Sequence, residues 1–262
     1  MRRLRLDVEL VRRQLARSRE QAAELITAGR VQVRGATATK AATGVEHDTP
    51  IRVLTDGDDP GYASRGAHKL IGALDCFPEV AITGRRCLDA GASTGGFTDV
   101  LLRRGAAEVV AVDVGYGQLI WVLQSDSRVI VRDRTNVRTL KPEDIGGPAD
   151  VTVADLSFIS LAVVLPALTA CTSEDLLPMV KPQFEVGRER VGRGGVVRDP
   201  ALRADAVRSV ARSARALGWG TAGVARSPLP GPSGNVEFFL WLRKDAGPVD
   251  EAAIDAVTKE GT

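Results

Sequence analysis

The residues most able to do chemistry lie around a glycine-rich turn at positions 89–97. Asp89 ends a short apolar run, and Gly91, Gly95 and Gly96 follow before an amphipathic helix pattern begins. Glycine lets the backbone come close to a bound molecule, because no Cβ stands in the way. In an open α/β sheet, ligands bind outside the carboxyl ends of the strands. The sequence therefore predicts a ligand-binding turn between a strand and a helix, although a glycine-rich turn without a ligand remains an alternative.

The spacing of the glycines argues against a dinucleotide. A dinucleotide fingerprint needs glycine at its first, third and sixth places, and here Ser93 takes the third. The pattern Asp-x-Gly-x-x-x-Gly-Gly-Phe resembles the first motif of S-adenosylmethionine (SAM) methyltransferases. SAM has no phosphate but carries an ammonium group, which an acidic residue suits, and Asp113 ends the next predicted strand where an acid commonly binds ribose hydroxyls. The residues expected to bind the cofactor are Asp89, Gly91, Ser93, Thr94, Gly95, Gly96, Phe97, Asp113 and Asp155.

Four charged residues stand at the ends of other predicted elements. Asp155 and Lys181 each follow an apolar strand pattern, Glu237 opens the last predicted strand, and Lys69 begins the helix before the first strand. In a doubly wound sheet, Asp155 and Lys181 project from the same carboxyl edge as the glycine-rich turn. An antiparallel last strand would begin at that edge too and bring Glu237 there. This set resembles the Lys-Asp-Lys-Glu tetrad of FtsJ-type RNA 2′-O-methyltransferases, which implies that the four residues form the catalytic site.

The residue types suit methyl transfer to a hydroxyl group. The sulfonium of SAM is already an activated leaving group, so the enzyme chiefly has to hold the nucleophile in line with the methyl carbon. Lys181 is predicted to contact the hydroxyl, as a base or as a stabiliser of the developing oxyanion, with Asp155 and Glu237 orienting it. Lys69 would hold the target ribose or its phosphate. Two alternatives remain open: a structural ion pair for Lys181 and Asp155, and plain surface charge for Lys69 and Glu237.

Strands and helices alternate from Asp89 onward, which indicates a parallel, doubly wound sheet. The fold class expected is α/β, a Rossmann-like methyltransferase fold with seven mostly parallel strands, the last antiparallel, and a small N-terminal α+β domain. A run of proline and glycine at 227–235 separates the last two strands, which should pair antiparallel at one edge. The predicted strands are Arg86–Asp89, Val109–Asp113, Val129–Val131, Val151–Ala154, Leu176–Val180, Thr221–Ala225 and Phe238–Leu242.

The N-terminal residues carry most of the positive charge. Residues 1–40 hold ten arginines and lysines against four acidic residues, a net charge of +6, so the remainder carries −4. Asp7 and Ser18 are predicted to cap two helices, and a small sheet follows over residues 31–53. A basic patch on a small domain favours contact with a polyanion, although a solvated arginine-rich face is the alternative. The residues expected to bind RNA are Arg3, Arg5, Arg17, Arg19, Arg30, Arg34, Arg65, Lys69, Arg188, Arg190 and Arg193.

The glycine- and arginine-rich stretch 185–199 directly follows the Lys181 motif. Its glycines permit movement and its arginines suit phosphate, so we expect a loop that orders on RNA. A surface loop that touches nothing is the alternative.

Composition bounds the class of protein. The 262 residues are 44% hydrophobic and 26% charged, typical of a globular protein. A basic start without a following apolar run argues against a signal peptide, and no run is long enough to span a bilayer. Three scattered cysteines and two histidines show no metal spacing. We expect a cytoplasmic protein without metal or membrane contact; the oligomeric state stays open.

Two resemblances to known families account for these observations together. Residues 15–35 are similar to the alpha-L RNA-binding domain of a small-subunit ribosomal protein and of pseudouridine synthases. Nearly the whole chain resembles the TlyA family of bacterial ribosomal RNA 2′-O-methyltransferases, also called haemolysins. The runs that carry this resemblance are 64–69, 89–97, 113–119, 155–160, 181–185 and 231–237.

The resemblance implies SAM as cofactor, ribosomal RNA and ribosomal subunits as partners, and cytidine ribose in both subunits as target. It also implies an RNA-binding domain at 1–55, a linker at 56–63 and a methyltransferase domain at 64–262. The family linker usually carries a tryptophan, whereas this chain has Tyr62 in that segment. Whether the two domains are coupled through this segment therefore stays open from the sequence.

Two other functions remain open from the sequence: an inactive methyltransferase fold that binds RNA during ribosome assembly, and a membrane-active haemolysin. The chain lacks the Asn/Asp-Pro-Pro-Tyr loop of base-nitrogen methylation and the Pro-Cys nucleophile of pyrimidine carbon methylation. Both omissions favour an oxygen target. Phe158 stands where that loop would be, as a base- or ribose-stacking residue or as a plain core aromatic.

Overall fold

A computed structural model describes residues 3–54, 61–231 and 233–259. The chain forms two compact units that divide between Arg65 and Gly66. Of the linker predicted at 56–63, residues 56–60 lie outside the described part. Residues 61–63 belong to the first unit.

The first unit combines two helices with short strands. The helices α1 and α2 pack on each other, and β2 pairs antiparallel with both β3 and β5. A small apolar core that includes Leu6, Leu10 and Ile26 joins the helices to the strands. The elements are β1 (Leu4–Arg5), α1 (Leu6–Arg12), α2 (Arg19–Thr27), β2 (Val31–Val33), β3 (Ala36–Thr37), β4 (Gly44–Val45) and β5 (Ile51–Val53).

The start of α1 differs from the prediction, whereas that of α2 confirms it. The residue at the N-cap of α1 is Arg5, and Asp7 lies inside the first turn. The Asp7 carboxylate accepts from Arg5 at 3.0 Å and from Arg19 at 2.9 Å, and the Arg5 hydrogen bond is the main cause that lowers the pKa of Asp7 to about 2. Ser18 caps α2 by accepting from the Gln21 N–H at 3.1 Å. Asp7 therefore pairs with two arginines instead of capping α1.

A buried carboxylate links α1 to the rest of the first unit. Glu9 is fully buried and contacts Arg12 and Arg13, each at 2.6 Å. The Arg12 hydrogen bond is the main cause that lowers the pKa of Glu9 to about 2. Arg13 also donates to the carbonyl oxygens of Glu46, His47 and Thr49. This network connects the helix to the segment before β5.

The second unit is a seven-stranded sheet with helices on both faces. Its strands lie in the order β11-β12-β10-β9-β6-β7-β8. The elements are α3 (Gly66–Cys76), β6 (Arg86–Ala90), α4 (Gly96–Arg103), β7 (Glu108–Val112), α5 (Trp121–Gln124), β8 (Val129–Arg132), β9 (Ala149–Ala154), α6 (Leu161–Ala170), β10 (Thr172–Val180), α7 (Pro182–Glu185), α8 (Pro200–Ala216), β11 (Gly220–Arg226), β12 (Phe238–Arg243) and α9 (Glu251–Lys259).

The topology confirms the predicted fold class. Strands β6 to β10 pair parallel, and β12 runs antiparallel between β10 and β11. The central strands are buried and rich in valine, leucine and alanine, as strands covered on both faces are. Strand β10 begins four residues earlier than predicted, because Thr172 pairs with Ala149 before a register shift in the ladder.

The register places the predicted site residues along one edge. Asp89 lies opposite Val153, so the first residue after β9, Asp155, follows the end of β6 closely. Val180 lies opposite Phe238, so Lys181 and Glu237 are the next residues along a paired antiparallel ladder. Among the described residues, no helix is long and apolar enough to cross a membrane.

Candidate active site

The first catalytic pair predicted from the sequence forms at the ends of β9 and β10. Lys181 Nζ lies 2.6 Å from Asp155 Oδ1 and donates to Ser157 Oγ at 3.0 Å. The lysine side chain is about 9% exposed and the aspartate 24%. Asp155 Oδ1 accepts no hydrogen bond from the described residues, so charge rather than a well-aligned hydrogen bond holds this pair. The ammonium has three N–H groups and Ser157 accepts from one of them, so donors remain that can meet a further oxygen.

The second pair, Lys69 and Glu237, is more deeply buried. Lys69 Nζ donates to Glu237 Oε2 at 2.6 Å, and the side chains are 7% and 1% exposed. This excludes the alternative that the two residues are surface charges. The prediction that Glu237 orients Lys181 is wrong, because the described contacts of Glu237 go to Lys69, whereas Lys181 contacts Asp155 and Ser157. Glu237 Oε1 has no partner among the described residues, and a Cβ on Gly231 would stand 2.5 Å from it. The glycine at 231 therefore gives the free carboxylate oxygen its space.

The glycine-rich turn lies directly against Asp155. The Asp155 N–H donates to the Ala90 carbonyl at 3.0 Å. Gly91 has φ +90°, and a Cβ there would stand 2.5 Å from the Asp155 carbonyl oxygen. Only glycine fits this close approach without strain. The backbone thus joins the predicted cofactor turn to the residue that contacts Lys181.

Asp89 is fully buried beneath that turn. Its Oδ2 accepts from Thr98 Oγ1 at 2.6 Å, while Oδ1 has no partner among the described residues. Burial raises the pKa of Asp89 to about 7, and the charges of Asp155 and Asp113 add to this effect. A cationic group beside Asp89 would give Oδ1 a hydrogen-bond donor and would neutralise the buried charge.

Asp113 accepts hydrogen bonds from two loops, the glycine-rich turn and the segment after β7. Its Oδ2 accepts from the Ser93 N–H at 2.8 Å and its Oδ1 from the Gly115 N–H at 2.7 Å. Ser93 has φ +47°, a conformation that this hydrogen bond helps to hold. Each carboxylate oxygen retains a second lone pair for a ribose hydroxyl.

The other predicted cofactor residues form the turn and the start of α4. Thr94 accepts a backbone hydrogen bond from Ile120. Gly95, at φ +101°, is the N-cap of α4, and a Cβ there would overlap the side chains of Leu119 and Leu123. Gly96 and Phe97 are buried in the first turn of α4.

Three residues that sequence reasoning did not single out hold the site in shape. Ser157 accepts from Lys181. Glu185 accepts from Ser160 Oγ at 2.7 Å and from the Leu161 N–H at 2.8 Å, and its burial raises its pKa. Asn235 is buried, accepts from the Val197 N–H at 2.9 Å and donates to the Gly195 carbonyl at 2.8 Å. Ser157, Glu185 and Asn235 lie in the runs that carry the family resemblance, which was the available signal.

Part of the predicted RNA-binding set is engaged in ion pairs. Arg5 and Arg19 contact Asp7, Arg3 and Arg34 lie 3.7 Å from Glu46, and Arg65 lies 3.5 Å from Glu24. These arginine side chains are about 48–73% exposed, so they still present charge to solvent. Arg30 donates to the Leu54 carbonyl and Arg190 to that of Val186. Arg17 also has a contact within the protein, and the side chains of Arg188 and Arg193 lie outside the described part.

Phe158 is exposed and directly follows Ser157, the residue that accepts from Lys181. Its side chain is 91% exposed, and its ring centroid lies 5.4 Å from that of Phe184. The core alternative for this residue is therefore wrong. Its φ of +64° is unusual for a bulky side chain. The local backbone holds an aromatic face out into solvent at the edge of the site.

The fold and this edge define a methyltransferase of the FtsJ type. A sequence profile of FtsJ-like methyltransferases matches residues 62–244, and a profile of the S4 domain matches residues 4–51. The chain is 65% identical, over 92% of its length and 90% of the relative's, to the 16S/23S rRNA (cytidine-2′-O)-methyltransferase TlyA of Mycobacterium tuberculosis. It is 44% identical to YqxC of Bacillus subtilis, over 91% of this chain and 85% of that one.

A solved structure of a candidate hemolysin from Streptococcus thermophilus superimposes with a TM-score of 0.77 at 36% identity. The alignment covers 98% of this chain and 95% of that one. The chain belongs to the TlyA family, as the sequence resemblance predicts.

Proposed function

We propose that this protein transfers the methyl group of SAM to the ribose 2′-hydroxyl of cytidines in the ribosomal RNA of both subunits. The observation that supports it most is the assembly of two lysine–carboxylate pairs on adjacent strand ends, beside the glycine-rich turn. The names of TlyA relatives supply the base and the RNA. An inactive RNA-binding fold would have no need to keep Lys69 and Glu237 buried together.

Lys181 is the residue we assign to the 2′-oxygen. Its amine is anchored by Asp155 and Ser157, which fixes its direction and leaves an N–H or a lone pair for the substrate. As a neutral amine it accepts the hydroxyl proton while the new carbon–oxygen bond forms. As an ammonium it stabilises the developing oxygen charge, with the proton leaving to solvent. Either role requires the hydroxyl to be held in line with the methyl carbon.

The residues around the turn fit SAM. Bound there, SAM would supply an electrophilic methyl group on a positively charged sulfur, which becomes a neutral thioether when the methyl group is transferred. Asp89, with its unpaired buried oxygen, suits the ammonium of the methionine part. Asp113 has lone pairs left for the ribose hydroxyls, and Gly91 lets the backbone approach. The charge pattern matches a cation at one end of the ligand and hydroxyls at the other.

The RNA contacts are divided between the two units. In the first unit, an S4 domain with exposed arginines supplies affinity for phosphate. In the second, Phe158 offers a stacking face for an unpaired base, the usual means of holding a single-stranded nucleotide. Lys69 and Glu237 present the remaining polar groups to the target nucleotide.

Methyl transfer to isolated ribosomal subunits tests the proposed function. With labelled SAM, both unmethylated subunits should accept label, and mass spectrometry of nuclease digests should find 2′-O-methylcytidine. Label on a base, or no label on either subunit, would overturn the proposal. Leakage of lipid vesicles by the purified protein without methyl transfer would instead favour the haemolysin function.

The pKa of Asp89 predicts how SAM binding depends on pH. A group with a pKa of about 7 is largely protonated at pH 6, and binding a cation to its charged form then requires loss of that proton. The dissociation constant should therefore be about eightfold higher at pH 6 than at pH 7.5. Calorimetry in buffers of different ionisation enthalpy would measure both the affinity and the proton released.

Asp89→Asn is the matched variant for this measurement. It keeps the shape but cannot titrate, so its affinity should be weaker at pH 7.5 and should vary little with pH. Because the folded-state pKa is raised, Asp89 makes the ligand-free wild type lose stability as pH rises from about 4 through 7. The Asn variant should lose less over the same range. An identical pH dependence in both proteins would contradict the role given to Asp89.

A further inference from the structure

A pocket outside the candidate active site lies where β11 ends, at the same edge of the sheet. It has a volume of about 630 Å³ and is lined by Arg198, Arg203, Arg226 and residues of the 227–236 connection. Arg226 ends β11 opposite Phe238, the first residue of β12. The pocket is therefore next to Glu237 in the sheet, with Val236 in its wall. None of its described lining residues is acidic.

Of the three arginines that line this pocket, Arg198 has a contact within the protein, whereas Arg203 and Arg226 form no ion pair with the described residues. Arg203 is 7% exposed, and its Nε donates to the Val197 carbonyl at 3.0 Å. Its terminal nitrogens have no hydrogen bond or ion pair with the described residues. The Arg226 side chain has no such partner either. The charge of Asp199 partly opposes the lowering of the Arg203 pKa, and the Asp199 carboxylate caps α8 by accepting from the Ala201 N–H at 2.9 Å.

A buried, unpaired guanidinium is costly unless an anion accompanies it. Burial and the charge of Arg226 both lower the pKa of Arg203, which reports the same repulsion. Arginine stays protonated in proteins and presents a planar fork that matches phosphate oxygens. An anion between Arg203 and Arg226 would relieve both the burial cost and the repulsion.

The walls of the pocket are held by the catalytic elements. Asn235 joins the 195–197 segment to the β11–β12 connection. Gly72 of α3, the helix that carries Lys69, lies so close to Pro228 that a Cβ there would stand 2.6 Å from the proline ring. A ligand in the pocket would thus contact the 227–236 connection. This connection leads to Glu237 and packs against α3 through Pro228.

We propose that this pocket binds a backbone phosphate of the substrate RNA near the target nucleotide, with Arg203 and Arg226 as its anion ligands. The inference rests on the proposed RNA substrate. The volume exceeds that of a phosphate alone and has room for the attached ribose. Binding here would set the position of the RNA strand relative to Lys69 and Lys181.

Arg226→Gln is the variant that tests the pocket, because no described residue forms a hydrogen bond or ion pair with the Arg226 side chain. In methyl transfer to ribosomal subunits, its KM should rise about tenfold with kcat nearly unchanged. The logarithmic salt dependence of RNA binding should become shallower by about one. Arg215→Gln, at the opposite end of α8, removes the same charge and one hydrogen bond to Ala246, and should change neither quantity.

The outcomes separate this proposal from the proposed function. If the wild type methylates ribosomal RNA but Arg226→Gln matches Arg215→Gln in KM and salt dependence, the pocket is not a phosphate site. A second measurement needs no methyl transfer: cytidine 3′,5′-bisphosphate should raise the Tm of the wild type and not that of Arg226→Gln. Inorganic phosphate giving the whole effect would identify a free-anion site and overturn the RNA assignment. If the protein binds the bisphosphate through Arg226 but methylates no RNA, the result supports the anion site and contradicts the proposed function.

Discussion

Lys181→Ala is expected to lower kcat for methyl transfer by about 10²- to 10⁴-fold, the range for loss of a proton-transfer or charge-stabilising group. SAM affinity should change little, because Lys181 contacts Asp155 and Ser157 rather than the glycine-rich turn. The measurement is single-turnover transfer to ribosomal subunits, with cofactor binding followed separately by calorimetry. An alanine variant that keeps full activity would exclude Lys181 from the reaction.

Two further variants give this experiment its controls. Lys181→Arg keeps a positive donor but cannot accept a proton at ordinary pH. It should be as inactive as the alanine variant if Lys181 is the base, and partly active if the lysine stabilises the oxyanion. Lys244→Ala removes an exposed lysine after β12, at the other end of the sheet, and should leave kcat unchanged.

The position of Lys181 was predictable for a simple physical reason. A polar residue directly after a buried apolar strand of a parallel sheet must emerge at the carboxyl edge, and the strand patterns ending before Asp155 and Lys181 were clear. The antiparallel last strand followed from the irregular connection 227–235, which cannot form a crossover helix. These local signals were enough to predict the fold class and the edge where the site lies.

Contacts between distant segments were not predictable in the same way. The sequence left Lys69 and Glu237 open as surface charges, since their burial depends on how the 227–237 connection folds against α3. The predicted cap at Asp7 is wrong because two arginines, one of them twelve residues away, compete for the same carboxylate. Charge counting likewise found the N-terminal arginines and acids but not which of them form ion pairs.

Side-chain direction in loops was a third limit. Phe158 lies in an apolar stretch that fits a core residue, yet its positive φ turns the ring outward. The unpaired arginines 203 and 226 gave no signal, because one lies in an alanine- and arginine-rich helix and the other ends a strand. Only the tertiary structure shows that they share a cavity.

Breaking the Lys69–Glu237 pair is expected to have the second large effect. Glu237→Gln or Lys69→Met alone leaves one charge buried without its partner, which costs about 3–5 kcal/mol in free energy of unfolding. Urea unfolding followed by tryptophan fluorescence would measure it, since Trp121, Trp219 and Trp241 all lie in the second unit. Both single variants should also lose methyl transfer, even at temperatures where they remain folded.

The double variant Lys69→Met/Glu237→Gln separates stability from catalysis. With both charges gone, no uncompensated ion is buried, so most of the lost stability should return. Activity should stay low, because Glu237 Oε1 and the Lys69 amine are the groups presented to the target nucleotide. Recovery of both stability and kcat would show that the pair only supports the fold. A double variant that is stable but inactive would show that the fold does not need this ion pair. The buried charges would then be explained by their role in the reaction.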